Sequence, residues 1–134
     1  MRPRFLLDTH ILIRWLLEPK KLSKEQLRVM RNAVRQGEPL AVSAVTLLEI
    51  AVLFGEARTR LRVPAESLLD TIQPAAGFRV LPIDVAVATE VAALGDSLRD
   101  PADRAIIATT LVHRLTLLTS DSRIVESRLV PVVE

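Results

Sequence analysis

The chain has no cysteine and no tyrosine, and only one tryptophan and three phenylalanines in 134 residues. Without cysteine there is no disulfide framework, no thiolate zinc site and no cysteine nucleophile, and the composition suits a reducing compartment. Trp15, Phe5, Phe54 and Phe78 are too few to build the stacking platforms with which many single-strand binders hold bases. Any grip on nucleic acid must rest on something else. The charge is nearly balanced, 18 basic against 16 acidic residues for a net of +2, so the total alone argues for no polyanionic partner. The four glycines form no glycine-rich phosphate loop. Long hydrophobic runs are also missing. Pro39 to Gly55, the longest apolar stretch, carries Glu49 in its middle and falls short of the ~20 residues a membrane span needs. The opening Met-Arg-Pro-Arg-Phe has the flavour of a signal peptide, but Asp8, His10 and Arg14 break the apolar stretch behind it. A mature, cytoplasmic protein is expected, with Pro39 to Gly55 forming a buried strand and helix.

What is present describes an ordinary folded domain. Hydrophobic residues make up 49% and charged residues 25%, which excludes a disordered tail and, at this length, points to one domain over residues 1–134. Short apolar runs without helical periodicity mark strands at Phe5-Leu6-Leu7, Leu40-Ala41-Val42, Phe78-Arg79-Val80-Leu81 and Thr116-Leu117-Leu118, with Val130 to Val133 as a fifth candidate. Amphipathic segments predict helices at His10 to Leu17, Ser23 to Gln36, Thr46 to Phe54, Pro64 to Gln73, Val85 to Leu94 and Pro101 to Arg114. Gly37, Gly55, Gly77 and Gly95 each follow such a stretch and read as helix endings. Strand and helix alternate. The expectation is an α/β fold with a mostly parallel central sheet flanked by helices.

In sheets of that kind ligands bind beyond the carboxyl ends of the strands, where strand order reverses. The positions just after the strand candidates are rich in acids. Asp8 follows the first strand, Glu49 lies one turn into the helix after the second, Asp84 follows the third, Asp100 and Asp103 open the long helix before the fourth, and Asp121 follows the fourth. Each has an ordinary explanation as a helix cap or first-turn acid. Thr46-Leu47-Leu48-Glu49 reads as a capping box, and Asp100-Pro101-Ala102-Asp103 reads as cap, proline and acid. Taken together they suggest more. Carboxylates gathered at one sheet edge raise one another's pKa unless a cation neutralises them. Hard oxygen donors without histidine or cysteine suit Mg²⁺ or Mn²⁺. An ion so held can activate water for in-line attack at phosphorus, which is the chemistry of phosphodiester hydrolysis.

Four blocks, in order, carry a resemblance: Leu6-Leu7-Asp8-Thr9-His10-Ile11-Leu12, Ser43 through Ala51, Asp100 through Ala108, and Leu117-Leu118-Thr119-Ser120-Asp121. They are similar to the signature blocks of PIN-domain ribonucleases, and within them to the VapC-type toxins of bacterial toxin-antitoxin pairs. The resemblance implies a three-layer sandwich around the sheet and a metal-dependent endoribonuclease acting on RNA. It also implies a VapB-type antitoxin as partner and a homodimer. Carried over residue by residue, it assigns metal coordination and catalysis to Asp8, Glu49, Asp103 and Asp121. Asp100 is either a further ligand or only a cap, and Asp84 is a cap outside the cluster. Thr9, Ser43 and Ser120 resemble hydroxyls that support the ligands, although ordinary turn chemistry explains them equally well. Arg104 either touches a scissile phosphate or pairs with an acid, the pair being favoured.

Of the two histidines, His113 sits at a helix end where a cation is favoured, and His10, two residues from Asp8, stands where it could border the site. Trp15 reads as core or interface. Lys24, Arg28, Arg31 and Arg35 share a helix face, and Arg58, Arg60 and Arg62 alternate in a loop; both sets could track an RNA backbone or could simply be solvated. Two further readings are a phosphoacceptor receiver-like domain and a non-catalytic binding module. The first is disfavoured because one acid, not two, follows the first strand, and because all three lysines, Lys20, Lys21 and Lys24, lie far from the last one.

Overall fold

The computed structural model describes residues 1–55 and 63–134, so Arg58, Arg60 and Arg62 lie outside the described residues. In chain order the elements are β1 (Phe5–Leu7), α1 (Thr9–Leu17), α2 (Lys24–Arg35), β2 (Leu40–Ser43), α3 (Ala44–Gly55), α4 (Ala65–Thr71), β3 (Phe78–Leu81), α5 (Val85–Ala93), α6 (Pro101–His113), β4 (Thr116–Leu118), α7 (Ser122–Ser127) and β5 (Val132–Val133). The strands form one sheet in the order β3-β2-β1-β4-β5, and every pairing is parallel. Strand order reverses between β1 and β4, which pair with Leu6 opposite Leu117 and Leu7 opposite Leu118.

Side-chain alternation along the strands divides the core into two layers. Leu7, Val42 and Leu118 face a cluster that includes Ile11 and Leu12 of α1, Met30 of α2, Ile50 of α3 and Leu68 of α4. Leu6, Ala41 and Leu117 face the opposite way, against Ile106 and Ile107 of α6 and Ile124 of α7. With both faces covered, the short strands are apolar almost throughout, as a buried parallel sheet requires. The result is the expected three-layer α/β arrangement. The stretch from Pro39 to Gly55 supplies β2 and α3, and no helix among the described residues is long and apolar enough to cross a membrane.

The structure corrects several local expectations. The Thr46 capping box does not form, because α3 begins two residues earlier, at Ala44, where the Ser43 hydroxyl accepts from the Val45 amide at 3.2 Å. Thr46 is therefore inside the helix and fully buried. Gly37, Gly77 and Gly95 take the left-handed conformation, whereas Gly55 is still helical; Arg114 and Arg128 adopt positive φ instead at the ends of α6 and α7. The six-residue α7 is too short to announce itself by periodicity.

Candidate active site

The crevice at the β1/β4 reversal is built from the first residues beyond each strand. The Asp8 amide donates to the Leu118 carbonyl at 3.0 Å, continuing the β1–β4 ladder by one step and setting Asp8 beside Thr119. Asp8 then caps α1 through Oδ1, which accepts from the Thr9 amide at 2.9 Å, while Oδ2 accepts from Thr119 Oγ1 at 2.7 Å. Thr119 Oγ1 in turn accepts from the Asp121 amide at 3.1 Å. One buried hydroxyl thus joins the two acids.

Glu49 enters from α3. Its carboxylate accepts from Thr9 Oγ1, and Thr46 Oγ1, 2.9 Å from Thr9 Oγ1, completes a chain of hydroxyls running into the core. Asp100 caps α6 by accepting from the Asp103 amide at 3.0 Å, as its sequence context predicts. Asp103 lies in the first turn of that helix. Asp121 caps α7, accepting from the Arg123 amide at 2.9 Å, and the Arg123 guanidinium bridges Asp121 Oδ2 at 3.0 Å and Asp103 Oδ2 at 3.3 Å.

The electrostatics show that these acids share one field. Burial pushes the Asp103 carboxyl up to about 6; Asp100, Asp8 and Asp121 add to the rise, and Arg123 opposes it. Burial likewise raises Glu49 against the Thr9 hydrogen bond, with Asp8 and Asp100 contributing. Asp121 moves the other way, held down chiefly by its hydrogen bond from Arg123. Carboxyls from β1, α3, α6 and β4 therefore feel one another across the crevice.

The chemistry of this donor set fits a hard divalent cation: carboxylate oxygens in excess, two of the acids raised by burial and further by their acidic neighbours, and open space beside Glu49 and Asp100 for other ligands. No group of three or more Asp, Glu or His side chains among the described residues stands ready-made around an ion. The hydrogen bonds account for that. Asp121 is turned onto Arg123, Glu49 onto Thr9, and one oxygen of Asp100 onto its helix amide.

The remaining sequence candidates sort cleanly. Asp84 caps α5 by accepting from the Val87 amide at 3.0 Å and perturbs none of the clustered acids. Arg104 does not face the crevice and pairs with no acid among the described residues. Its guanidinium donates to the carbonyls of Gly95 and Leu98, each at 2.6 Å, and of Val91 at 2.8 Å, lashing the end of α5 and the following loop to α6. Three carbonyls converging on one planar guanidinium, from the last turn of α5 and the loop after it, outbid a single carboxylate. Ser43 is a helix cap. The Ser120 hydroxyl points to Gln26 Nε2 at 3.3 Å, so the supporting hydroxyl on this loop belongs to Thr119 instead. That residue was recoverable from register: if Leu7 pairs with Leu118, the next residues, Asp8 and Thr119, must be neighbours. Gln26 was not recoverable; it is a fully buried amide that holds the Thr119 and Val133 carbonyls, both at 3.3 Å.

Residues 5–128 match the model of the PIN domain. The chain belongs to the PIN-domain family. It is 37% identical to ribonuclease VapC22 of Mycobacterium tuberculosis over 120 residues, 89% of this chain and 88% of that protein. Among solved structures, its fold is similar to a chain of VapBC2 from Rickettsia felis bound to a promoter DNA fragment, with TM-score 0.71, 14% identity and coverage of 99% and 98%. It is likewise similar to FitAcB from Neisseria gonorrhoeae, with TM-score 0.71, 24% identity and coverage of 97% and 96%. Membership of the family removes the receiver-like alternative.

Proposed function

We propose that this PIN-domain chain is a VapC-type toxin, an endoribonuclease that hydrolyses RNA phosphodiester bonds with a divalent cation, Mg²⁺ or Mn²⁺. The observation that carries the proposal is the meeting of carboxyls from four separate segments at the strand-order reversal, where Asp8 and Asp100 add to the burial that raises both Asp103 and Glu49. Kinship with a ribonuclease over nearly the whole chain supports the choice of RNA as substrate.

Of the acids expected as ligands, Asp8, Asp103 and Asp121 would hold the cation, while Glu49, turned onto Thr9, would face them across the crevice and Asp100, bound to its helix amide, would stand at its edge. When bound, such an ion lowers the pKa of a coordinated water and stabilises charge on the phosphorane oxygens. The chain supplies the rest. Thr119 aims Asp8 by donating to Oδ2. Thr9 fixes the rotamer of Glu49, whose raised proton affinity suits it to take a proton from an attacking water. Arg123, largely exposed above Asp103 and Asp121, is placed to meet the anionic backbone at the mouth of the site.

The exposed Lys24, Arg28, Arg31 and Arg35 border a groove floored by Trp15, Leu27 and Val34 on the α1–α2 side, a basic face suited to an RNA backbone. The VapBC structures among the similar folds support a VapB-type antitoxin partner for this chain, and the exposed Leu48, Val52 and Leu53 of α3 support a homodimer or antitoxin face. A cytoplasmic site of action accords with an RNA substrate. Incubation of the purified chain with transfer and ribosomal RNA, in Mg²⁺ and in chelator, tests the proposal: discrete cleavage that chelator abolishes is expected, and cleavage indifferent to chelator, or none under any divalent cation, would refute it.

A further inference from the structure

His10 is the side chain that spans the crevice. Its ring belongs to the first turn of α1, yet Nε2 accepts the Ser120 amide proton at 2.9 Å, from the loop after β4. The opposite nitrogen, Nδ1, lies 3.4 Å from Asp8 Oδ2, the oxygen that also receives the Thr119 hydroxyl. Two of the acids at issue, Asp8 and Asp121, sit on the two loops that this ring connects. Without it, the side-chain link between the loops among the described residues reduces to Thr119, itself a member of the β4 loop.

A ring that accepts at Nε2 carries its proton on Nδ1, and that proton then points toward the Asp8 carboxylate. The arrangement resembles the orientation of a metal ligand by a partner behind it, where one hydrogen bond sets the direction of the next. Here the partner is an imidazole and the oriented group a carboxylate. Among the described residues the Ser120 amide has no other acceptor, so the imidazole also satisfies a loop donor that would otherwise be left to solvent.

We propose that His10 is a positioning residue of the cation site: as the Nδ1–H tautomer it clamps the β4–α7 loop to the start of α1 and so fixes Asp121 relative to Asp8. The inference rests on the metal-site reading above. The geometry separates its two ends, because the amide oxygen of Gln reaches about as far as Nε2 whereas a phenyl ring fills the space and accepts nothing.

The test uses the ¹⁵N-labelled full chain and Mn²⁺ alone as probe. In the wild type, nitrogen spectra should show His10 protonated at Nδ1 only, with a through-hydrogen-bond coupling between Nε2 and the Ser120 amide nitrogen. His10→Phe should weaken Mn²⁺ binding on the order of tenfold to a hundredfold, the range for loss of a group that orients a ligand. His10→Gln should recover most of that loss. A ring protonated at Nε2, a His10→Phe variant that binds Mn²⁺ like the wild type, or a His10→Gln variant as weak as His10→Phe would each overturn the clamp. If His10→Phe does not fold, the tautomer and the Gln variant still decide. A wild-type chain that binds no Mn²⁺ would instead defeat the metal-site reading itself, which distinguishes the two failures.

Discussion

Thr119 Oγ1 donates to Asp8 Oδ2 at 2.7 Å while accepting from the Asp121 amide, so a single buried hydroxyl sets the spacing of two acids that lie 113 positions apart in the chain. Thr119→Val keeps the shape of the side chain and removes both bonds. It should lower stability by about 1–3 kcal/mol, the cost of stranding a buried polar partner. It should also weaken Mn²⁺ binding, whereas Thr119→Ser should restore most of both. Urea unfolding and Mn²⁺ titration of the two variants check this, and a Val variant as tight-binding as the wild type would remove Thr119 from the site.

The acid cluster dictates a pH dependence whose sign follows from Asp103. Its folded pKa of about 6 lies above the ordinary 3.8, so between those values the folded chain holds more of this proton than the unfolded chain does. Its contribution to stability therefore grows as pH falls through about 6 and is complete below 3.8. Glu49, also raised, acts in the same direction, while the lowered Asp121 loses its contribution at lower pH. Melting temperatures without metal should rise for the wild type relative to Asp103→Asn as pH drops from 7 to 5, in the region of the Asp103 pKa of about 6. Mn²⁺ affinity should fall over that range by up to about tenfold per pH unit, one proton competing with each ion. A flat difference between the two melting curves would contradict the shared field.

Arg123 binds oxygens of Asp121 and Asp103 that a cation would also claim. Replacing it with Met removes the competing charge. Mn²⁺ affinity should tighten on the order of twofold to fivefold, as expected for an exposed ion pair, and RNA cleavage at saturating metal should slow through a higher KM. Weaker Mn²⁺ binding would instead make Arg123 an organiser of the acids.

Arg104 belongs to the scaffold. Arg104→Ala removes three charge-assisted bonds to the carbonyls of Val91, Gly95 and Leu98 and should cost about 2 kcal/mol, with Lys a poor substitute because it lacks the planar fork. Mn²⁺ affinity should stay within about twofold, since a lost fold contact remote from the acids has no partner to couple with. A large loss of affinity without loss of stability would restore the phosphate-contact reading.

The strands and the acids after them were legible because a buried parallel sheet writes itself as short apolar runs and because helix starts favour aspartate. Phe5–Leu7, Phe78–Leu81 and Thr116–Leu118 fall where the apolar runs put them. What escaped was set by tertiary geometry. Arg104 looked like a site residue because it stands next to Asp103, but on a helix adjacent residues point about 100° apart. Thr46 looked like a cap until the helix started at Ala44 and drew it into the core. Thr119 is legible only through the pairing of β1 with β4, and Gln26, whose Thr119 and Val133 partners lie more than 90 positions away, through no local pattern at all.

The most direct test of the account is an anomalous-scattering map from a crystal of the chain grown with Mn²⁺. The account predicts a peak bounded by carboxylate oxygens of Asp8, Asp103 and Asp121, with Arg123 swung off Asp121, and no such peak in Asp8→Asn crystals. Crystals that hold no manganese there, with Asp100 and Asp121 still bound only to their own helix amides and Asp121 to Arg123, would contradict it.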